Sequence, residues 1–163
     1  MRREILEEDT MMKQWHIGEI LIQKKLIDWL QLEDALNEQK RTREFVGEVL
    51  VRKQYVPRFL LFKALAERHA IPFVDLSRIF IDPQWIRLIP KSISLKYGIV
   101  PIESQNGTLI VGIKDPMAVL PEKEIAELAK VSQIKTVLCT PEAIATAIDE
   151  NYGKQNTEAD ALP

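Results

Sequence analysis

Few residues in this chain are placed to do chemistry. Its two histidines, His16 and His69, stand far apart, with no HExxH run and no second ligand cluster, so no metal site is expected. Cys139 is the single cysteine, which excludes an internal disulfide and a cysteine-rich zinc site. It closes an apolar run without a basic neighbour to lower its pKa, and so reads as a buried, inert thiol. The neighbouring acids Glu33-Asp34 and Glu122/Glu124 read as solvated helix faces, because nothing beside them would tune a carboxyl for proton transfer. No GxxxxGK[ST] phosphate loop is present, so ATP binding by that route is not expected. The chain is therefore expected not to be an enzyme.

Two glycines are more informative. Gly18 and Gly47 each sit at the start of an apolar helical pattern, where glycine costs about 1 kcal/mol against alanine. Either two helices approach closely there, or a ligand lies across the helix start, where free N–H groups favour an anion. Trp15, Trp29 and Trp85 could stack on a base or be buried in a core or interface.

The elements that position these glycines come from an internal repeat. Residues 16–39 and 45–68 align at an offset of 29 without a gap. Eight of the 24 positions are identical, among them Gly18/Gly47, Leu21/Leu50, Leu32/Leu61, Ala35/Ala64 and Leu36/Leu65, and four more exchange Ile for Val. Each copy reads as helix, turn, helix. Ile17, Ile20 and Leu21 share one face of the first helix, and Leu32, Ala35 and Leu36 share one face of the second. Asp28 with Gln31 is a capping box for the second helix, and Pro57 suits the first turn at the corresponding place. A helix pair this short cannot bury its own stripe, so the two pairs should pack together and bury Leu21, Leu36, Leu50 and Leu65.

From residue 72 the pattern changes. Pro72–Leu76 is extended in character. Pro83–Leu88 and Lys91–Tyr97 read as short helices stopped by Pro90 and Gly98. Ile99–Glu103 and Thr108–Ile113 read as strands joined by a tight turn at Asn106-Gly107. A helix over Glu122–Val131, with Ile125, Leu128 and Ala129 inward, precedes a strand at Ile134–Leu138 and a helix from Thr140 to Tyr152. The fold class is α+β: a helical subdomain of two repeated helix pairs, then a small α/β subdomain with a three- to four-stranded sheet. The expected divisions are a tail at 1–14, the duplicated subdomain at 15–71, the α/β subdomain at 72–153 and a tail or linker at 154–163.

Composition sets the surroundings. The 163 residues are 46% apolar and 28% charged, with a net charge of −2. Basic and acidic residues number 13 and 12 in 1–71, and 9 and 12 beyond. Neither part has the positive excess of a nucleic-acid surface, so no nucleic-acid polymer is expected as partner. No apolar run is long enough to span a bilayer, and Glu7-Glu8-Asp9 interrupts any signal-type core, so a cytoplasmic chain without membrane insertion is expected.

The duplicated motif and its five-residue spacer, Lys40–Glu44, resemble the N-terminal domain of the assembly ATPases of type II secretion systems and type IV pili. Downstream landmarks agree in order: Pro72–Leu76, Leu88-Ile89-Pro90, Gly98–Pro101, Gly112–Pro116 and Tyr152-Gly153. The resemblance covers about residues 15–153. It implies two functions. One is docking on the cytoplasmic part of an inner-membrane platform protein, with the ATPase domain beyond this stretch. The other, found in some members, is binding of cyclic di-GMP. The resemblance places the ligand contacts at Gly18, Leu21, Leu32, Leu36 and Gln39, at Gly47, Leu50, Leu61 and Leu65, and at Asp115. The sequence departs from that motif at its leading arginines, here His16 and Phe45, at its mid-motif glycines, here Lys25 and Gln54, and at its second closing glutamine, here Arg68. Two lost arginines remove charge-assisted contacts worth roughly 1.5–3 kcal/mol each. A side chain at either mid-motif glycine is also expected to hinder the turn. Docking is therefore the expected function, with cyclic di-GMP sensing as the alternative.

Overall fold

The computed structural model describes residues 17–153. The expected tails at 1–14 and 154–163, and with them Trp15 and His16, lie outside the described residues. The chain forms two compact units that divide between Arg68 and His69.

Among the described residues the first unit contains four helices: α1 over residues 17–23, α2 (Trp29–Thr42), α3 (Val46–Arg52) and α4 (Arg58–Arg68). Each repeat yields one helix pair. Asp28 caps α2 as a full capping box: its carboxylate accepts from Gln31 N at 2.8 Å, and Asp28 N donates to Gln31 Oε1 at 3.0 Å. In the second repeat the Pro57 carbonyl accepts from Leu60 N and Leu61 N. Proline thus stands at the cap, one residue before its expected place, where its missing N–H costs nothing either. Ile17, Leu21, Leu32, Ala35, Val46, Val49, Leu50, Leu61 and Ala64 are buried. Leu36 and Leu65, expected inside, are half-buried. They lie one residue beyond the inward pairs Leu32/Ala35 and Leu61/Ala64, at the rim of the apolar stripe.

The second unit runs through a 3-10 turn (Leu76–Arg78), α5 (Pro83–Ile86), α6 (Lys91–Tyr97), β1 (Ile99–Gln105), β2 (Thr108–Ile113), α7 (Glu122–Ala129), β3 (Gln133–Leu138) and α8 (Pro141–Tyr152). The sheet order is β1-β2-β3. β1 and β2 are an antiparallel hairpin from Ile99↔Ile113 to Gln105↔Thr108, closed by Asn106 and Gly107, both at positive φ as a two-residue hairpin turn requires. β2 and β3 are parallel, with α7 as the crossover. Phe73 adds one parallel bridge to Leu138, the beginning of a fourth strand. Leu76, Ile81, Ile86, Val100, Val137, Cys139, Ile144 and Ile148 form one apolar cluster with Tyr152. In α7, Ile125 and Ala129 are buried while Leu128 is exposed. Eight residues make barely two turns, so this helix buries a stripe only one row wide.

Tyr152 ends α8 inside this cluster. Its hydroxyl donates to the carbonyls of Ile86 and Ile89, at 2.9 and 2.7 Å, and lies 3.0 Å from the hydroxyl of fully buried Ser94. With its proton committed to the carbonyls, the phenol oxygen accepts from Ser94. Replacing Tyr152 by Phe would keep the ring, remove this partner from the Ile89 carbonyl and the Ser94 hydroxyl, and leave the Ile86 carbonyl with the long 3.4 Å bond from Ile89 N. The expected outcome is a loss of about 1–3 kcal/mol in urea unfolding. A midpoint unchanged from the parent would show that this network carries no stability.

Candidate functional site

The glycines are placed by packing. A Cβ on Gly18 would lie 2.6 and 2.8 Å from the two methyl carbons of Leu32, and one on Gly47 would lie 3.0 Å from Leu61 Cδ2. Leu32 and Leu61 are the same position in the two repeats. In each pair the glycine of the first helix receives the leucine of the second, and close helix approach accounts for both glycines. Leu21, Leu32 and Leu50 are completely buried, and Leu61 nearly so. Leu36, Gln39 and Leu65 reach partial exposure, and Gly47 is half-buried. Asp115 belongs to the second unit, is exposed, and accepts from Met117 N at 2.8 Å to close a local turn.

The turns between paired helices are built alike. Lys25 N donates to Ile22 O at 2.8 Å and Leu26 N to Leu21 O at 2.9 Å. In the second copy Gln54 N donates to Val51 O and Tyr55 N to Leu50 O, both at 2.9 Å. This crossed pair of bonds satisfies carbonyls at a helix end and needs a left-handed residue between them. Lys25 (φ 56°) and Gln54 (φ 61°) supply it. The expectation that side chains would hinder these turns is therefore corrected: the left-handed well accepts a Cβ at a modest energetic cost, and the hydrogen bonds hold it there.

Asp34, expected to be a solvated surface acid, is instead a junction. One oxygen, Oδ2, accepts from Lys53 Nζ at 2.6 Å and from Tyr55 OH at 2.7 Å. Hydrogen bonding from Lys53, then from Tyr55, lowers the Asp34 pKa, and Asp34 raises that of Lys53. Lys24 Nζ lies 2.5 Å from Glu67 Oε2. Arg58 binds Glu48 through both nitrogens, at 2.6 and 2.9 Å, and Arg52 binds Glu44 at 2.9 Å and Glu38 at 3.4 Å. A signal for part of this network stood in the sequence: Lys24/Lys53 and Glu38/Glu67 are identical positions of the two repeats.

The outer surface of this unit is apolar at three successive helix starts. Trp29 and Leu30 open α2, Phe45 caps α3 without a side-chain hydrogen bond, and Phe59 opens α4. Leu30 and Phe45 are 75% and 69% exposed, and Trp29 and Phe59 are exposed as well. Cys139 is fully buried, and burial, with a smaller contribution from the Asp75 charge, pushes its thiol up to about 12. Among the described residues no three His, Cys, Asp or Glu side chains are grouped to hold a metal ion, and no helix is long and apolar enough to cross a membrane.

The MshEN domain model matches residues 69–158. That match lies on the second unit, whereas every site residue except Asp115 lies in the first. The chain is 34% identical over 151 residues to the type IV pilus assembly ATPase PilB of Thermus thermophilus, covering 92% of this chain. It spans only 16% of that protein's length. Among solved structures, that of MshE with cdg superposes with a TM-score of 0.69 at 24% identity, over 83% of this chain and 98% of the other. The N-terminal domain of XpsE superposes with a TM-score of 0.53 at 14% identity, over 82% and 91%. These superpositions show a shared fold.

Two outcomes follow from the turn and the junction. Lys25→Gly and Gln54→Gly should each stabilise the chain, by up to about 1 kcal/mol in urea unfolding, since glycine relieves the left-handed cost and loses some of the gain to its freer unfolded state. Destabilisation by either would show that the side chain, not the backbone, holds the turn. Asp34 has a lowered folded pKa, so its contribution is present above the unfolded value of about 4 and is lost as pH falls through the lower folded value. The stability difference between the parent and Asp34→Asn should be flat from about pH 5 to 9 and shrink below about pH 4. A difference that grows on acidification would contradict the assignment.

Proposed function

The chain belongs to the MshEN domain family of type IV pilus and type II secretion assembly ATPases, and from that premise we propose that it is a non-catalytic docking module. Its partner is the cytoplasmic part of an inner-membrane platform protein, and the module works on the cytoplasmic side of that membrane. The observation that carries this reading is the exposure of the large apolar side chains Trp29, Leu30, Phe45 and Phe59 at the helix starts of the first unit. Large aromatic and aliphatic side chains are the residues that partner interfaces bury, and these four stand exposed on one unit. The same unit pairs two of its carboxylates internally: Glu48 with Arg58, and Asp34 Oδ2 with Lys53 and Tyr55. A partner can cover this surface without leaving those charges unpaired.

A second reading, cyclic di-GMP sensing, is favoured by one observation. Both mid-motif turns keep the left-handed backbone that glycine would adopt, despite Lys25 and Gln54. In the repeat architecture, Leu36, Gln39, Gly47 and Leu65 are the partly accessible members of the implied contact set. Against it stands Phe45, an exposed apolar residue where the motif has an arginine.

Leu30→Glu with Phe45→Glu should weaken binding to the purified platform domain at least tenfold, about 1.4 kcal/mol, while leaving the unfolding transition in place. Unchanged affinity would remove these exposed side chains as the docking surface. Calorimetric titration with cyclic di-GMP should give weak or no heat with the natural chain. Micromolar or tighter binding would put sensing ahead of docking.

A further inference from the structure

The ion pairs of the first unit join the repeats reciprocally. Lys24 lies in the turn of the first repeat and pairs with Glu67, near the end of α4. Lys53 lies in the turn of the second repeat and pairs with Asp34, in the middle of α2, with Glu38 contributing to the field at its ammonium. Each turn is therefore bound to the helix that follows the other turn. The chain itself supplies the remaining links, because the first turn runs into α2 and the second into α4.

We infer that these links form a closed ring that couples the two motif turns. Traced in order, it runs from the first turn through Lys24 to Glu67 on α4, back along α4 to the second turn, through Lys53 to Asp34 on α2, and along α2 to the first turn. Two links are covalent helix and two are ionic. A single exposed ion pair contributes little by itself. In a ring, however, opening one ionic link removes a tether between one turn and the helix that follows the other; the buried residues still hold that helix in the core, but both turns lose a restraint together. The Tyr55 hydroxyl reinforces one link by sharing Asp34 Oδ2 with Lys53. A partner or ligand that engages one repeat thereby shifts the geometry of the second, and this goes beyond the docking assignment because it holds for any occupant of either turn.

Hydrogen exchange of the whole chain tests the ring. The reporters are the amides of Leu26 and Tyr55, which donate to Leu21 and Leu50 within the two turns. Lys24→Glu should speed exchange at Leu26 and also at Tyr55, by about two- to fivefold. Glu67→Lys should do the same, and the double change Lys24→Glu with Glu67→Lys should return both amides toward the parent rate. Should charge reversal unfold the unit, Lys24→Met removes the link without repulsion and should still move both reporters. Raising salt should accelerate both amides of the parent in parallel. Response confined to the turn that carries the substitution, or a charge swap without recovery at Tyr55, would overturn the coupling.

Discussion

The structure of the first unit depends on one contact made twice: the missing Cβ of a glycine opposite the methyl groups of a leucine. At Gly18 and Leu32 the clearance is below what any side chain could occupy, and at Gly47 and Leu61 it is barely enough. This contact sets the distance between paired helices, and the distance fixes where the following turn must fall. From there Lys25 and Gln54 are forced into left-handed backbone, and the adjacent lysines are carried to within reach of the other repeat. The cost of glycine inside a helix is met by the burial of two large leucines.

The repeats share this frame and differ on the outside. Arg58 in the second repeat grips Glu48, whereas the same position of the first repeat is Trp29, which leaves its glutamate, Glu19, without that clamp. The same division holds at the tips: Leu30 and Phe59 are equivalent and both exposed, yet Asp34 sits beside the first and Lys63 beside the second. Duplication has kept the inward half of the motif and let its outward half diverge, so the two halves present different chemistry on one scaffold.

Much of the fold was legible in the sequence because it rests on local rules. The offset of 29 located both helix pairs, Asp28 with Gln31 marked a cap, and Asn106-Gly107 marked a hairpin that forms where it was read. What escaped was the outcome of competition between neighbours. Leu36, Leu65 and Leu128 fit an apolar spacing, but each stripe is narrower than the spacing allows. The side chains of Lys25 and Gln54 carry no sign of left-handed backbone, because the crossed hydrogen bonds of the helix end, one of them donated by each residue's own N–H, impose it. Asp34 resembled any surface acid, since Lys53 and Tyr55 are 19 and 21 residues away along the chain. Of the six leucines that the family motif names, Leu21, Leu32, Leu50 and Leu61 are core, and Leu36 and Leu65 reach the surface only in part.

Tyr152 has a bearing on the order in which this chain can acquire its structure. Its hydroxyl reaches carbonyls 63 and 66 residues upstream. Leu138 must likewise return to Phe73 before the sheet gains its last bridge. The first unit asks for less: the ion pair from Lys24 to Glu67 spans 43 residues, and its contacts are complete once Arg68 is reached. On a ribosome the two units would therefore mature at different moments: the helical one as soon as it clears the exit, the other only when its final helix has emerged. Until then the α5–α6 corner waits with its carbonyls hydrated, and the tyrosine that ends α8 is the residue that dries it.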